Sequence, residues 1–283
     1  IAADKPRAAM GFDLRRRPGE PPKLVAHRGA SAVAPENTMA AFDRAWRDRA
    51  DIVEMDVRLS ADREVVVIHD RDLDRTTDGT GLVADWPVSE LKRLNAGAWF
   101  GAAYDGEHIP TLREVLHWAR GKVALMLELK FDPYGSFAPQ LVPAVAALIA
   151  EASMADQVLA ISYQPRALVQ LKILIPSVPA GPIYPADGAL GLTVSIVRHF
   201  PWLAQVSGVR RLLTRPLRYT RDWGCDVVSP NIAVVTPTLV GATHAAGYPL
   251  SCGGLRWDYP YAIGIGVDTV AANDPACVRR CYL

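Results

Sequence analysis

Apolar runs of five to eight residues, rich in β-branched side chains, alternate along most of this chain with longer stretches of helical spacing. That is the pattern of repeated strand–helix units with parallel strands. The runs at 23–29, 51–58, 64–70, 123–130, 157–163, 178–184, 225–231, 248–254 and 267–273 predict nine strands. Helices are predicted at NTMAAFDRAWRD, TLREVLHWAR, VPAVAALIAEA, PRALVQLKIL and TPTLVGATHAAG. Asn or Thr caps open three of them, and a glycine suited to a C-cap closes the last. The expected fold is an α/β TIM-type (β/α)8 barrel, in which nine strands are one too many, so one must be an edge or supernumerary element.

Two interruptions modify that picture. Only eight residues, 57–64, separate Asp56 from Val65, too few for a crossover helix, so one helix is missing from that unit. Between Asp70 and Thr111 lies a long stretch with Gly, Asp and Thr clusters and a weak helix at VSELKRLN. It reads as a small insertion, 71–110, after the third strand, overhanging the catalytic face.

Length and composition agree with a single barrel: 283 residues, half of them apolar, against roughly 250 residues for a typical TIM barrel. Residues 1–22, rich in Pro, Arg and Ala, read as a tail or linker, leaving 23–283 as the barrel domain. The formal net charge of +1 gives no basic field for nucleic acid. No apolar run reaches the roughly 18 residues that a membrane span needs. The opening IAADKPRAAM lacks an initiating Met and reads as a processed or excised product. Location therefore divides between cytoplasmic and exported or membrane-attached. Nothing in the chain specifies an oligomeric state. Cys225, Cys252, Cys277 and Cys281 show no CxxC spacing and read as thiols in the core rather than ligands.

The candidate chemistry lies at strand ends, where α/β barrels place their sites. His27, in AHRG, closes the first run, with Arg28 beside it as an anion clamp. His69, in IHD, closes the third. Either alone reads equally well as a hydrogen-bonded strand-end histidine; two together point to acid–base chemistry near neutral pH. Glu54 and Asp56 stand two apart on one strand and so project to one face, where their repulsion calls for a cation. Glu128 adds a third acid within an apolar strand, and Lys130 lies two residues on. Alone, Glu128 and Lys130 would be an ordinary buried ion pair. Taken with Arg28 and both histidines, they make a site for metal and anion together, which a phosphate satisfies.

AHRGAS, APENT, EMDVRLSADREVVVIHD, DRTTDGTG, IPTLREVL and LELK stand in the order and spacing of the glycerophosphodiester phosphodiesterase family, which the chain resembles. ISYQPRAL, VVSPN and GVDTVAANDP continue the match more loosely. The resemblance implies a TIM barrel that cleaves a phosphodiester to sn-glycerol 3-phosphate and an alcohol through a cyclic phosphate. It implies His27 and His69 as the acid–base pair and Glu54, Asp56 and Glu128 as ligands of one divalent cation, Mg²⁺, Ca²⁺ or Mn²⁺. Arg28 and Lys130 would hold phosphoryl oxygens, and Glu36 of APENT would position Arg28 or the metal site.

Relatives usually carry an aromatic in a VWTVN-like segment near the end. Here the stretch reads YPLSCGGLRWD, with Gly253 or Gly254 at that position and Trp257 slightly later, either lining the substrate wall or packing in the core. The apolar stretch GALGLTVSIVRHFPWLAQ, 188–205, is either a core-facing helix or a hydrophobic lip for an acyl chain or membrane surface. The second possibility keeps open cleavage of lysophospholipids, lysophospholipase D fashion. A barrel that binds phosphodiesters without cleaving them is the third reading; intact acids and histidines argue against it.

Overall fold

A computed structural model of the chain describes residues 13–131, 140–185, 188–253 and 259–283. Its strands are β1 (Lys23–Ala26), β2 (Ile52–Leu59), β3 (Val65–Val67), β4 (Ala124–Leu129), β5 (Val158–Ser162), β6 (Ala180–Tyr184), β7 (Ser229–Pro230), β8 (Ser251–Gly253) and β9 (Thr269–Ala272). Eight are parallel staves in the order β7-β6-β5-β4-β2-β1-β9-β8. Parallel bridges Val228↔Leu250 and Asn231↔Gly253 bring the two ends together, so the barrel nearly closes.

The supernumerary strand is β3. It pairs antiparallel with β2, in the register Val57↔Val67, and the short 60–64 connection is therefore a hairpin turn that needs no crossover helix. The helix that serves this unit is Leu112–Ala119, entered after the insertion. The insertion has its own small core of Leu73, Val83, Leu91 and Ala96 packed on Val66 and Ile68. It leans on the loop after β1, where the Tyr104 hydroxyl donates to the Val33 carbonyl at 2.7 Å.

The outer helices form where the sequence pattern places them, and their caps have the expected chemistry. The Thr38 hydroxyl accepts from Ala41 N at the start of Met39–Arg47. Thr111 and Glu114 form a reciprocal capping box on Leu112–Ala119. Thr236 caps Pro237–Ala245.

Alternation along the staves sorts their side chains. On β2 and β4, Val53, Met55, Val57, Leu125, Leu127 and Leu129 face outward into the main core beneath the helices. Ile52, Ala124 and Met126 face inward with Val25, Leu159, Ile161 and Val227. Leu14, from the stretch read as a tail, belongs to that inner cluster and is buried at the N-terminal mouth. Burial of a leucine stabilises by roughly 1.5–3 kcal/mol, and Arg16 N donates to Asp268 Oδ1 at 2.7 Å beside it. Residues 13–22 thus close the bottom of the barrel. No described helix is long and apolar enough to cross a membrane.

Candidate active site

Counting inward positions up β2 and β4 from Ile52 and Ala124 brings the chain to Glu54, Asp56 and Glu128. Asp56 and Glu128 are direct cross-strand partners, and Glu54 pairs with Met126 one layer below. All three are buried, and one oxygen from each lies within 4.8 Å of the others. Burial and its two acidic neighbours push Glu54 well above the ordinary carboxylate range. Burial also pushes Asp56 up, but Lys130, Arg28 and His69 outweigh it and hold Asp56 low. One acid of the pair is thus ready to ionise and the other resists. Glu54 Oε1 is buried with no hydrogen-bond partner, an orphaned acceptor that the coordination shell of a hard cation would satisfy.

The loop after β1 delivers the cations. Arg28 (φ 54°) and Gly29 (φ 79°) both take left-handed backbone. This bend turns Arg28 N onto Glu54 Oε2 at 2.7 Å. Its guanidinium reaches Asp56 at 3.4 Å and Glu36 at 2.9 Å. Gly29 is required here twice over: a Cβ on it would stand 2.7 Å from Ala41. Asn37, also left-handed at φ 58°, braces Asp56: its amide donates to Asp56 Oδ2 at 2.8 Å and its carbonyl oxygen accepts from Asp56 N at 3.2 Å. Lys130, at the end of β4, forms ion pairs with Glu128 and, at 3.0 Å, with Asp56.

The two imidazoles flank this cluster from different elements. His27 extends β1, its Nε2 4.0 Å from Glu54 and its Nδ1 2.7 Å from Asn273 Oδ1, just past β9. His69 reaches the site by the antiparallel return of β3: Ile68 N donates to Asp56 O, so the next residue is carried back beside the acids. Its Nδ1 lies 2.6 Å from Asp70. Loss of solvent lowers both imidazole pKa values, with the Arg28 charge a further cause at His27; for both, Asp56 pulls the other way.

Every described residue on the candidate list therefore converges on one barrel mouth; Trp257 lies outside the described residues. Glu36 bridges two guanidinium groups, accepting from Arg28 and, at 2.7 and 3.0 Å, from Arg75 of the insertion. Arg75 also pairs with Asp70. Arg75, Asp70, Asn273 and Asn37 were not singled out in the sequence. Their signals were present in DRTTDGTG, IHD, AAND and PENT, but which charges they meet is a tertiary matter.

Beside the acids a cavity of about 310 Å³ opens between His27, Glu54, Glu128, Tyr163, Asn231 and Asn273. It continues inward to Met126 and Ile161, large enough for a small polyol phosphate. A broader depression of about 680 Å³ at the opposite end of the barrel is lined by Ser153, Asp156, Pro176 and Asp226. It lacks such a convergence of imidazoles and carboxylates.

Fold and site define the class: a TIM-type barrel whose C-terminal mouth joins a buried carboxylate triad, two guanidinium or ammonium groups and two imidazoles. The chain belongs to the glycerophosphoryl diester phosphodiesterase family, which it matches over residues 27–276. It is 44% identical to the Bacillus subtilis protein YhdW over 160 residues, which are 56% of this chain and 65% of that one. It is 40% identical to a glycerophosphodiester phosphodiesterase of Caldanaerobacter subterraneus over 164 residues, 57% of this chain and 66% of the relative. These matches span slightly less than two thirds of either relative. Among solved structures, an Oleispira antarctica phosphodiesterase in complex with the product sn-glycerol-3-phosphate superposes with a TM-score of 0.74. It is 27% identical, with 92% of this chain and 96% of that one covered.

Proposed function

We propose that this chain hydrolyses glycerophosphodiesters to sn-glycerol 3-phosphate and an alcohol, with 23–283 as one barrel domain that residues 13–22 close from below. The observation that carries the reading is the meeting of a buried acid triad and two separately braced imidazoles at one cavity, in a chain of this family. Glu54, Asp56 and Glu128 are the residues that would hold a hard divalent cation, Mg²⁺, Ca²⁺ or Mn²⁺, which when bound supplies Lewis-acid stabilisation of phosphoryl charge.

The chain's own groups do the rest. Arg28 and Lys130 are fixed in place by their carboxylates before substrate arrives, so they meet the charge developing on the phosphoryl oxygens without reorganising. Asp70 and Asn273 each accept from an imidazole Nδ1–H, which leaves Nε2 of His69 and His27 as the working nitrogens. One imidazole takes the proton of the attacking hydroxyl and the other returns a proton to the departing alkoxide. With a glycerol head, attack by the neighbouring 2-hydroxyl is favoured by effective molarity and gives a cyclic phosphate that water then opens.

Release of glycerol 3-phosphate from a panel of diesters, acylated and not, tests this. EDTA treatment and single-metal add-back form its second arm. Release from glycerophosphocholine that EDTA abolishes and one cation restores supports the reading; no release from any diester with any cation rejects it. Turnover of lysophosphatidylcholine in place of glycerophosphocholine would move the assignment to the acylated substrate.

A further inference from the structure

The 188–213 excursion, between β6 and the helix Arg215–Asp222, is far larger than a strand-to-helix loop requires, and nothing in the chemistry above uses it. It comprises the helix Gly188–His199, a 3-10 turn Pro201–Gln205 and the helix Ser207–Leu213. Its inner side is ordinary core: Leu190, Val194, Val197, Ala204 and Leu213 pack on Tyr184, from the C-terminal end of β6, and on Val234, just past β7. The excursion therefore stands on the same end of the barrel as His27 and the acids.

Its outer side is not ordinary surface. Leu192 and Ile196, one turn apart and opposite the buried stripe, are exposed, as are Phe200, Trp202 and Val206 in the stretch that follows. Trp202 is 66% and Leu192 65% exposed. Single exposed leucines are unremarkable on a protein surface, but five exposed large apolar side chains within 192–206, two of them aromatic, mark a contact face. Within 188–213 the sequence holds Arg198, Arg210 and Arg211 and no Asp or Glu; Arg215, Arg218 and Arg221 follow on the next helix, which ends at Asp222. Arg198, Arg210, Arg211, Arg215 and Arg221 are all exposed.

We infer that this excursion docks the barrel mouth onto an anionic lipid bilayer. Aromatic and aliphatic side chains enter the headgroup boundary while arginines, with long stems and charged tips, lie at phosphate level. Both halves of the surface are needed: apolar area alone would suit a protein partner, and an excess of arginine over acid suits a surface of the opposite sign. Each basic side chain near an anionic leaflet strengthens partitioning by roughly fivefold, so Arg210 and Arg211 together strengthen it by about 25-fold. The inference does not depend on the proposed hydrolysis, because binding is read without turnover.

Co-sedimentation of the full chain with vesicles tests it. One set is phosphatidylcholine alone, the other contains about a third phosphatidylglycerol. The wild type should pellet with the anionic set and partition at least about tenfold less to the neutral set or in about 0.5 M NaCl, where the screening length falls to a few ångströms. Phe200→Ser with Trp202→Ser, and separately Arg210→Glu with Arg211→Glu, should each lower anionic partitioning by at least about tenfold while leaving the circular dichroism spectrum unchanged. Equal partitioning to both vesicle sets, no pelleting at low salt, or variants that pellet like the wild type overturn the inference. So does a wild-type dimer in sedimentation velocity that the aromatic variant dissociates without any vesicle binding, which would assign the face to a second copy.

Discussion

Nδ1 of His69 lies 2.6 Å from Oδ1 of Asp70, and the same carboxylate is held from its other side by Arg75. Burial alone would push Asp70 up, yet hydrogen bonds from Arg75 and His69 hold it at about 2. It stays an acceptor at every working pH, locking the imidazole's tautomer and direction. Asn273 does this for His27 with a neutral oxygen at 2.7 Å. The two imidazoles are braced by partners of different charge.

Asp70→Asn should therefore lower kcat by roughly 10- to 100-fold, the usual effect of losing an orienting partner, with KM near the wild-type value. His27→Ala and His69→Ala should remove turnover while leaving the fold intact. Steady-state kinetics on glycerophosphocholine and circular dichroism check both; wild-type kcat in Asp70→Asn would remove the carboxylate from the mechanism.

The acid triad sets how metal-stripped protein responds to pH. Glu54 is raised by burial and by Asp56 and Glu128, so its folded pKa exceeds its unfolded value of about 4.3. Its contribution is fully present below that unfolded value and is lost as pH rises through the raised folded one. In EDTA, Glu54→Gln should flatten the fall of Tm between mildly acidic and neutral pH relative to wild type. Added Mg²⁺, Ca²⁺ or Mn²⁺ should raise the wild-type Tm but not that of Glu54→Gln. Identical Tm profiles for the two proteins would take Glu54 out of the cation site.

Gly29→Ala should destabilise by roughly 2–5 kcal/mol, the sum of a left-handed backbone cost and overpacking, because the added Cβ meets Ala41 at 2.7 Å with φ at 79°. Urea unfolding measures this. A midpoint equal to wild type would show that the loop after β1 relaxes freely.

The cysteines should divide by environment. Burial, then the neighbouring Asp226, pushes the Cys225 thiol up to about 11, and Cys252 is also buried. Cys277 and Cys281 depart from the expected core placement: they lie one turn apart on the last helix, Sγ atoms 3.7 Å from each other, with Cys281 exposed. Iodoacetamide at mildly alkaline pH should label Cys281 in the folded protein and leave Cys225 and Cys252 unlabelled until denaturant is added. Mass spectrometry of peptides reads the result, and rapid native labelling of Cys225 would contradict its burial.

Much of the site is legible in the sequence. Period-two alternation put Glu54 and Asp56 on one face of a strand, and the hydrophobic runs placed His27 at a strand end. In the 188–205 stretch one helix side packs in the core, as the first reading expected, and the other is exposed, because a helix presents two faces that a linear apolar run does not distinguish. The residues that orient the site were less visible. Asn273 stands 246 positions from His27, and no local pattern links them.

What the sequence determined by itself was local and periodic: the strands, the capped helices and the face each acid takes, all fixed by side-chain spacing against a repeating backbone. The tertiary structure decided which strand leaves the barrel and who meets whom. An antiparallel β3 and a parallel one read alike in sequence, and only their pairing carries His69 back beside Asp56. Likewise the Arg28–Glu36–Arg75–Asp70 chain of charges exists only because the insertion folds over the loop after β1, bringing together groups whose attraction acts through space.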